Sequence, residues 1–533
     1  MPPLRRWAAL AVLVLPVLLI AIDMSVLGIA VPALSADLQP TSAQLLWIID
    51  LYSFLLAGLL ILMGSLGDRI GRKRILLIGA PIFGAASLVA AFASSPDMLI
   101  LARALLGIGG ATLMPSTLGL VRAVFPDRKE RRTAIAVWAM AFSGGAALGP
   151  VAGGVLLEHF WWGSVFLLNV PVMALFLLVA PFLLPEAKDP KPGPFDPASA
   201  LLSIVGMIGS VYALKTFVKS PDWTAWLAVA IGVVGLTVFV LRQRRMAHPM
   251  IDVALFSNLA FTSSVVINTI AVFALMGVMF FFPQYLMLVE GMGSAEAGLW
   301  MLPLAAASVV GTLAAPLLAR RISVRSVIML GLVFVIGGFV SATFLDTATT
   351  MAVFALVSTL LGIGVGLAET LTNDVILTAA PPSRASAAAA ISETGYEFGG
   401  AMGTAVLGTF GMAVYSARVL ESESLTGMDA ASAEAASQTL AAAHEIAETI
   451  PDGAALRALA DAAFTAGMDL VSLACIAVAS LTLVLAWRGL RSESRVAQPT
   501  DGPASHQGRA SVPTRDHGGV PAEAGADRGE DAP

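Results

Sequence analysis

Runs of about 20 apolar residues recur along almost the whole of this chain, and each is long enough at roughly 1.5 Å per residue to cross a hydrocarbon core of about 30 Å. Inside lipid every backbone N–H and C=O must be satisfied within the protein, which leaves only helices and closed barrels as spanning structures. The runs are continuous and do not alternate as lipid-facing strands do, so helices are predicted. The spans fall near 9–31, 46–66, 75–94, 99–121, 133–157, 164–184, 200–218, 223–241, 262–285, 297–318, 326–345, 350–372, 386–415 and 466–487 of 533 residues. The predicted fold class is therefore an all-α integral membrane protein with fourteen spans.

Against a composition that is 57% hydrophobic and 13% charged, six acids lie in or at the edges of these spans: Asp23, Glu369, Asp374, Glu393, Glu397 and Asp469. A carboxylate in hydrocarbon costs several kcal/mol and by default marks a substrate or ion pathway. The single cysteine, Cys475, excludes a disulfide scaffold and a thiolate metal cluster, and the five histidines are too scattered to form a site. Arg5 and Arg6 before the first span resemble the start of a signal peptide. That span is too long for one, contains Asp23 and is followed by thirteen more, so an uncleaved helix is expected.

Alternate connections divide sharply in charge. One set carries 20 Lys and Arg, from Arg5 and Arg6 through Arg69–Arg74, Arg122–Arg132 and Arg242–Arg245 to Arg384; the other carries only Lys219, Arg418 and Arg457. By the positive-inside rule this predicts both termini in the cytoplasm of a multi-pass cell-membrane protein. Two connections are long. Residues 185–199 hold four prolines and read as a cytoplasmic linker; residues 416–463 are rich in Ala and Glu, with helices expected at 430–449 and 454–464, on the outer side. The tail at 491–533 lacks any apolar period and is expected to be disordered.

A weak internal echo links the connection after span two, Gly67-Asp68-Arg69-Ile70-Gly71-Arg72-Lys73-Arg74, to that after span ten, Ala319-Arg320-Arg321-Ile322-Ser323-Val324-Arg325. Paired halves of this kind suggest two bundles that alternate in access. The expected domains are a six-helix bundle at 1–184, the linker 185–199, two added helices at 200–241, and a second six-helix bundle at 242–490 that carries the outer loop.

Local motifs carry the chemistry. In the loop after span two, Gly64, Gly67 and Gly71 permit a tight turn and close helix approach, while Asp68 with Arg69 and Arg72 offers ion pairs to neighbouring elements. Charge alone would make this an ordinary positive-inside loop; the glycine placement favours a conformational latch. On span four Arg103 either snorkels to the outer interface or faces the bundle interior and couples to an acid, with Asp23 the nearest candidate. On span five Gly145, Gly149 and Gly153 recur every fourth residue to form a smooth face that generic packing explains, Pro150 favours a bend, and the added Gly149-Pro150 and Gly153-Gly154 pairs favour a kinked, tight contact that seals the two halves in one state.

Asp23 lies about 24 Å along the first helix if that helix enters near Trp7, so it falls in the outer half. Asp50 sits closer to the outer interface and is more readily explained as a solvated group. Glu393 and Glu397 are four residues apart and share a helix face; two like charges in a low dielectric resist joint ionisation, so the pair favours holding a proton or a cation. Tyr396 and other aromatic rings suit a delocalised or quaternary cation. Glu369 and Asp374 add negative charge toward the cytoplasmic side, either to guide cations inward or, for Asp374, simply as an interfacial group; Asp469, near the outer start of span fourteen, is open to the same two readings. A metal site is not supported, because one helix face supplies too few ligands.

These residues together resemble the major facilitator superfamily, specifically its fourteen-span drug:proton antiporters of the QacA, SmvA and LfrA kind, over roughly residues 8–490. Gly64–Arg74 is similar to the family's loop motif, Leu99–Ala111 to its span-four arginine motif and Ser143–Gly154 to its antiporter glycine-proline motif. Ile22–Pro32 resembles the first-helix signature of this branch, and Glu393–Gly403 its acidic span-thirteen segment. The resemblance implies two six-helix bundles plus two central helices, and proton entry that drives export of lipophilic or quaternary organic cations. It implies proton-coupling roles for Asp23, Arg103, Glu393 and Glu397, and substrate contact at Glu369, Glu393, Tyr396 and Glu397. It further implies no enzymatic activity, no cofactor beyond the proton gradient, no nucleic-acid partner, and function as a monomer in the lipid bilayer. Span ten departs from some relatives in lacking an acid around Gly298–Leu318. The alternatives are a proton-coupled exporter of a neutral or anionic metabolite and, from a different class, a membrane channel or scaffold.

Overall fold

The computed structural model describes residues 2–188, 195–219, 222–246, 249, 253–346, 351–381, 385–422, 428–451 and 453–490. The tail 491–533, the middle of the proline-rich linker and Arg384 lie outside the described residues. Among the described residues eighteen α-helices are formed in order: α1 (Pro3–Leu38), α2 (Ser42–Ile70), α3 (Arg72–Ala91), α4 (Pro96–Val124), α5 (Arg128–His159), α6 (Ser164–Leu167), α7 (Asn169–Leu183), α8 (Pro197–Lys219) and α9 (Trp223–Arg245), followed by α10 (Leu259–Gln284), α11 (Ser294–Trp300), α12 (Leu302–Ala319), α13 (Val324–Ala342), α14 (Met351–Ala379), α15 (Ala385–Leu420), α16 (Ala430–Gln438), α17 (Leu440–Thr449) and α18 (Gly453–Gly489). Among the described residues, fourteen spans are long and apolar enough to cross a membrane; α6 with α7 makes the sixth and α11 with α12 the tenth.

Caps explain several helix starts. The Thr41 side chain accepts from Gln44 N–H while Gln44 reaches back to Thr41, closing a capping box on α2. Ser95 caps α4 ahead of Pro96, a residue suited to the first turn because its missing N–H would be unpaired there anyway. The outer loop differs from the expectation at both of its helices. Residues 430–449 form two helices because Thr439 is extended and caps α17 through Ala442 N–H. The stretch expected as a separate helix at 454–464 runs on into the last span: no Pro interrupts it, and the helix continues through Gly467, which packs against the Gly411 carbonyl of α15.

The glycine face of α5 lies against α1. A side chain at Gly145 would meet the Leu18 carbonyl and Ala21, one at Gly149 would meet Ser25 and the Ile22 carbonyl, and one at Gly153 would meet Val26. This close contact is inside the first half of the chain. The contact with the other half is made by Pro150 and Gly154 of the same segment: Ser294 Oγ donates to the Gly154 carbonyl at 3.0 Å, and Gly298 abuts the Pro150 carbonyl. The three-glycine face thus fixes α1 rather than the other half. Gly149→Leu is expected to push α5 off α1 and to remove most folded protein, read as loss of the monodisperse peak on detergent size exclusion, whereas Gly144→Leu, with open space around it, is expected to be tolerated.

The end of the molecule where α1 begins and α18 finishes is here the terminal end, and the opposite is the far end. One hydrophobic core joins both halves of the chain at the far end, with Ile29 and Leu34 of α1, Phe280–Phe282 of α10, Phe354 of α14 and Met412 of α15 in the same cluster. Toward the terminal end, two further cores, one around Val327, Leu371 and Ala486 and one around Phe261, Ile376 and Ile391, contain only residues of the second half. Between these levels α8 lies over the seam of α2 and α15, with Met207 and Val211 packed on Phe54, Ala57, Ala401 and Ala405. Asp196, just before α8, is held by Arg242 of α9 at 3.0 Å. Burial opposes its ionisation, but hydrogen bonds from Arg242 and Ser199 outweigh that and hold its carboxyl below the usual range.

Candidate functional site

Asp23 and Arg103 are 1% and 2% exposed, and Arg103 Nη1 donates to Asp23 Oδ2 at 2.7 Å. Arg103 does not reach for an interface. Its Nε donates to the Ile48 carbonyl at 3.0 Å, and its guanidinium sits 4.4 Å from the Tyr52 ring centre and 6.0 Å from that of Phe166. The other carboxylate oxygen, Oδ1, accepts from Asn169 Nδ2 at 3.2 Å, and the same amide nitrogen lies 3.1 Å from Ser87 Oγ. Two buried charges are tolerable only with such partners, because desolvation of each ion costs several kcal/mol. α1, α2, α4 and α7 each supply a member, so the site is assembled by the packing of the first half.

The second acidic centre lies between α14 and α15. Glu397 is 2% exposed, and neither of its carboxylate oxygens has a hydrogen-bond partner among the described residues. Glu393, one turn earlier, is half-buried and within electrostatic reach of both Glu397 and Glu369. Tyr396 is within reach of all three glutamates. Ser392 of α15 donates to Asn373 Oδ1 of α14 and holds the two helices together at this level. The four residues expected at a cation site are therefore brought together. Asp374 is exposed and Asp469 half-exposed.

The loop after α2 is tied down at the terminal end. Asp68 pairs with Arg72 at 2.5 Å, and Arg72 also donates to the Pro115 carbonyl of α4 at 3.3 Å. Gly71 takes φ of +116°, a conformation that L side chains rarely adopt. Against it rests Glu186, whose Oε1 accepts from Lys73 N–H at 3.1 Å, while Arg72 N–H donates to the Ala187 carbonyl at 2.8 Å. An acid of the linker thus caps the start of α3. The echoing connection before α13 is built differently: there Ser323 caps the helix through Ser326 N–H. Gly64 contacts the Pro115 ring, Gly67 lies beside Ile75, and Arg69 sits 5.8 Å from the Phe195 ring centre.

Sequence reasoning did not find Asn169, Ser87, Tyr52 or Glu186, and it set Asp50 aside as near the outer interface. Asp50 is 1% exposed on α2, two residues before Tyr52, because the helix extends to Ser42 and carries Asp50 beneath its first two turns. A polar residue at Asn169, at the head of an otherwise apolar helix, was a usable signal. At the far end, α17 and α18 are joined by His444 Nε2 and Asp461 Oδ1 at 2.7 Å, and Ser42 Oγ of α2 donates to the Gln438 carbonyl at 2.5 Å. Among the described residues no group of three or more His, Cys, Asp or Glu is arranged to hold a metal ion.

Comparison with known proteins gives three concordant results. Residues 13–404 match the family model described as Major Facilitator Superfamily. The chain is 45% identical over 487 residues to the multidrug efflux pump LfrA of Mycolicibacterium smegmatis, covering 91% of this chain and 95% of that protein. It is 36% identical over 496 residues to the methyl viologen resistance protein SmvA of Salmonella typhimurium, covering 92% and 99%. It is 31% identical over 412 residues to a tetracenomycin C resistance and export protein of Streptomyces glaucescens, covering 76% of each. Among solved structures, an inward-facing, unoccupied bacterial homologue of the human lysosomal transporter Spinster superposes with a TM-score of 0.65 at 19% identity, covering 93% of this chain and 99% of that one.

Proposed function

We propose that this chain, which belongs to the Major Facilitator Superfamily and to the drug-efflux branch that includes LfrA and SmvA, is a proton-coupled antiporter that exports lipophilic or quaternary organic cations. The observation that carries this reading is Glu397: a sealed carboxyl with neither oxygen partnered, one turn from Glu393 and across from Glu369, where a cation or a proton would supply the missing partner. Tyr396 offers an aromatic face for the same cation. Methyl viologen, named in one relative, is itself a quaternary dication.

With the termini in the cytoplasm, the far end is the outer one, and the shared core there seals the two halves against the outside. A cation entering from the cytoplasm or inner leaflet reaches the glutamates first. Protons arriving from outside in the opposite state neutralise them, or Asp23, and weaken the hold on the cation, which leaves outward. Both oxygens of Asp23 accept hydrogen bonds, Oδ2 from Arg103 and Oδ1 from Asn169. No cofactor enters this cycle, which one chain completes alone. The tetracenomycin C relative favours a second reading, export of a natural product with the acids handling protons only.

A panel of organic cations and uncharged antibiotics, offered to proteoliposomes under an imposed proton gradient, tests the choice. One pH unit is expected to drive about tenfold accumulation of a monocation per proton exchanged, lost when the gradient is dissipated. Accumulation of the uncharged compounds alone would select the second reading, and no uphill movement of any compound would indicate a channel or scaffold.

A further inference from the structure

We propose that the Tyr52 hydroxyl is the positioning group that links the Asp23–Arg103 pair of the first half to Glu397 of the second. This inference rests on the glutamate site proposed above and assigns it a partner in the other half. Tyr52 is completely buried, its ring is covered by the Arg103 guanidinium, and its hydroxyl has no hydrogen-bond partner among the described residues. Glu397 is equally sealed and lacks a donor at either oxygen. The two residues stand on α2 and α15, helices of opposite halves that meet directly at Phe54, Ala57, Ala401 and Ala405 under the cover of α8. The Tyr52 hydroxyl lies within electrostatic reach of Asp23, Arg103 and Glu397 together.

A buried donor without an acceptor and a buried acceptor without a donor each cost about 1–3 kcal/mol, so a state in which they meet is favoured over one that keeps both unpaired. The hydroxyl moves with a ring whose face is held by Arg103. When Arg103 leaves Asp23, that ring is released, and the phenol donates to an ionised Glu397 while a protonated Glu397 no longer calls for it as strongly. The proton state of one half is thereby felt at the cation site of the other. Asp50 on α2, Glu369 on α14, Glu393 and Tyr396 on α15 and Tyr212 on α8 are among the further titratable groups of the surrounding helices, which also carry Asp68 and Arg69 (α2), Lys215 (α8), Asp374 (α14) and Arg418 (α15); α10, which also packs on α15, carries no charged side chain.

Tyr52→Phe tests the link, because it keeps the ring under Arg103 and removes only the hydroxyl. Reconstituted protein is assayed with ethidium or methyl viologen in two ways: downhill counterflow, which needs binding and alternation, and uphill accumulation driven by a pH gradient. Loss of a charge-assisted hydrogen bond corresponds to about tenfold or more in an equilibrium, so uphill accumulation is expected to fall by about that factor while counterflow stays within about twofold. In a Glu397→Gln background, Tyr52→Phe is expected to change the residual rates by less than about twofold, since residues that act through one contact are not additive. Equal loss in both assays means a structural role and overturns the link, as does a further additive loss on top of Glu397→Gln. Uphill transport intact in Tyr52→Phe but absent in Glu397→Gln overturns the link alone; uphill transport intact in Glu397→Gln overturns the glutamate reading along with it.

Discussion

Arg103→Ala is expected to abolish transport and to destabilise the protein by about 3–5 kcal/mol, the usual result of stranding one member of a buried ion pair. Asp23 would keep only the Asn169 amide at Oδ1, with its Oδ2 facing a cavity beside the Tyr52 ring. The loss shows as a lower melting temperature in detergent together with background rates in vesicles. Combining Arg103→Ala with Asp23→Asn removes the stranded charge, so stability is expected to return in large part while transport does not. Arg103→Lys keeps the charge but cannot hold the Ile48 carbonyl and Asp23 with one planar fork, so an intermediate stability is expected.

The second large effect is expected from Glu393→Gln combined with Glu397→Gln, which leaves the fold intact and brings gradient-driven cation transport to background. Glutamine matches glutamate in shape, so packing on α10, α14 and α18 is kept, while the capacity to exchange a proton for a cation is lost. The single changes are expected to be unequal. Glu397 is sealed with two unpartnered oxygens, so its change alone accounts for most of the loss; Glu393 is half-buried, can share its charge with water, and is expected to cost about tenfold or less. Glu369→Gln, also half-buried, is expected to raise the concentration of cation needed for half-maximal rate more than it lowers the maximal rate.

Most of the fold was legible in the sequence because lipid permits so few solutions. Fourteen apolar runs became fourteen spans, and the helix-period spacing of Glu393 and Glu397 put them on one face. The pairing of Asp23 with Arg103 was legible too, since an arginine and an acid placed in apolar helices need one another. What sequence periodicity does not carry is which helix a face meets. The α5 glycines suit any close neighbour, and only the assembled bundle shows that they meet α1 while Gly154 and Pro150 meet α11. Glu186 was hidden for a related reason: its role depends on a tertiary return of the linker to the start of α3, 113 residues from the Lys73 amide it accepts from. Asp50 was misjudged because the start of α2 was placed four residues too late, which moved it toward the interface.

In the proposed cycle, cation and proton compete for the same glutamates. The most direct measurement is proton release from the purified protein in a lightly buffered detergent solution when ethidium or methyl viologen is added. Binding is expected to expel protons, by an amount that falls to background in the Glu393→Gln, Glu397→Gln protein. Cation binding without proton release, or release undiminished in that double variant, would rule the competition out.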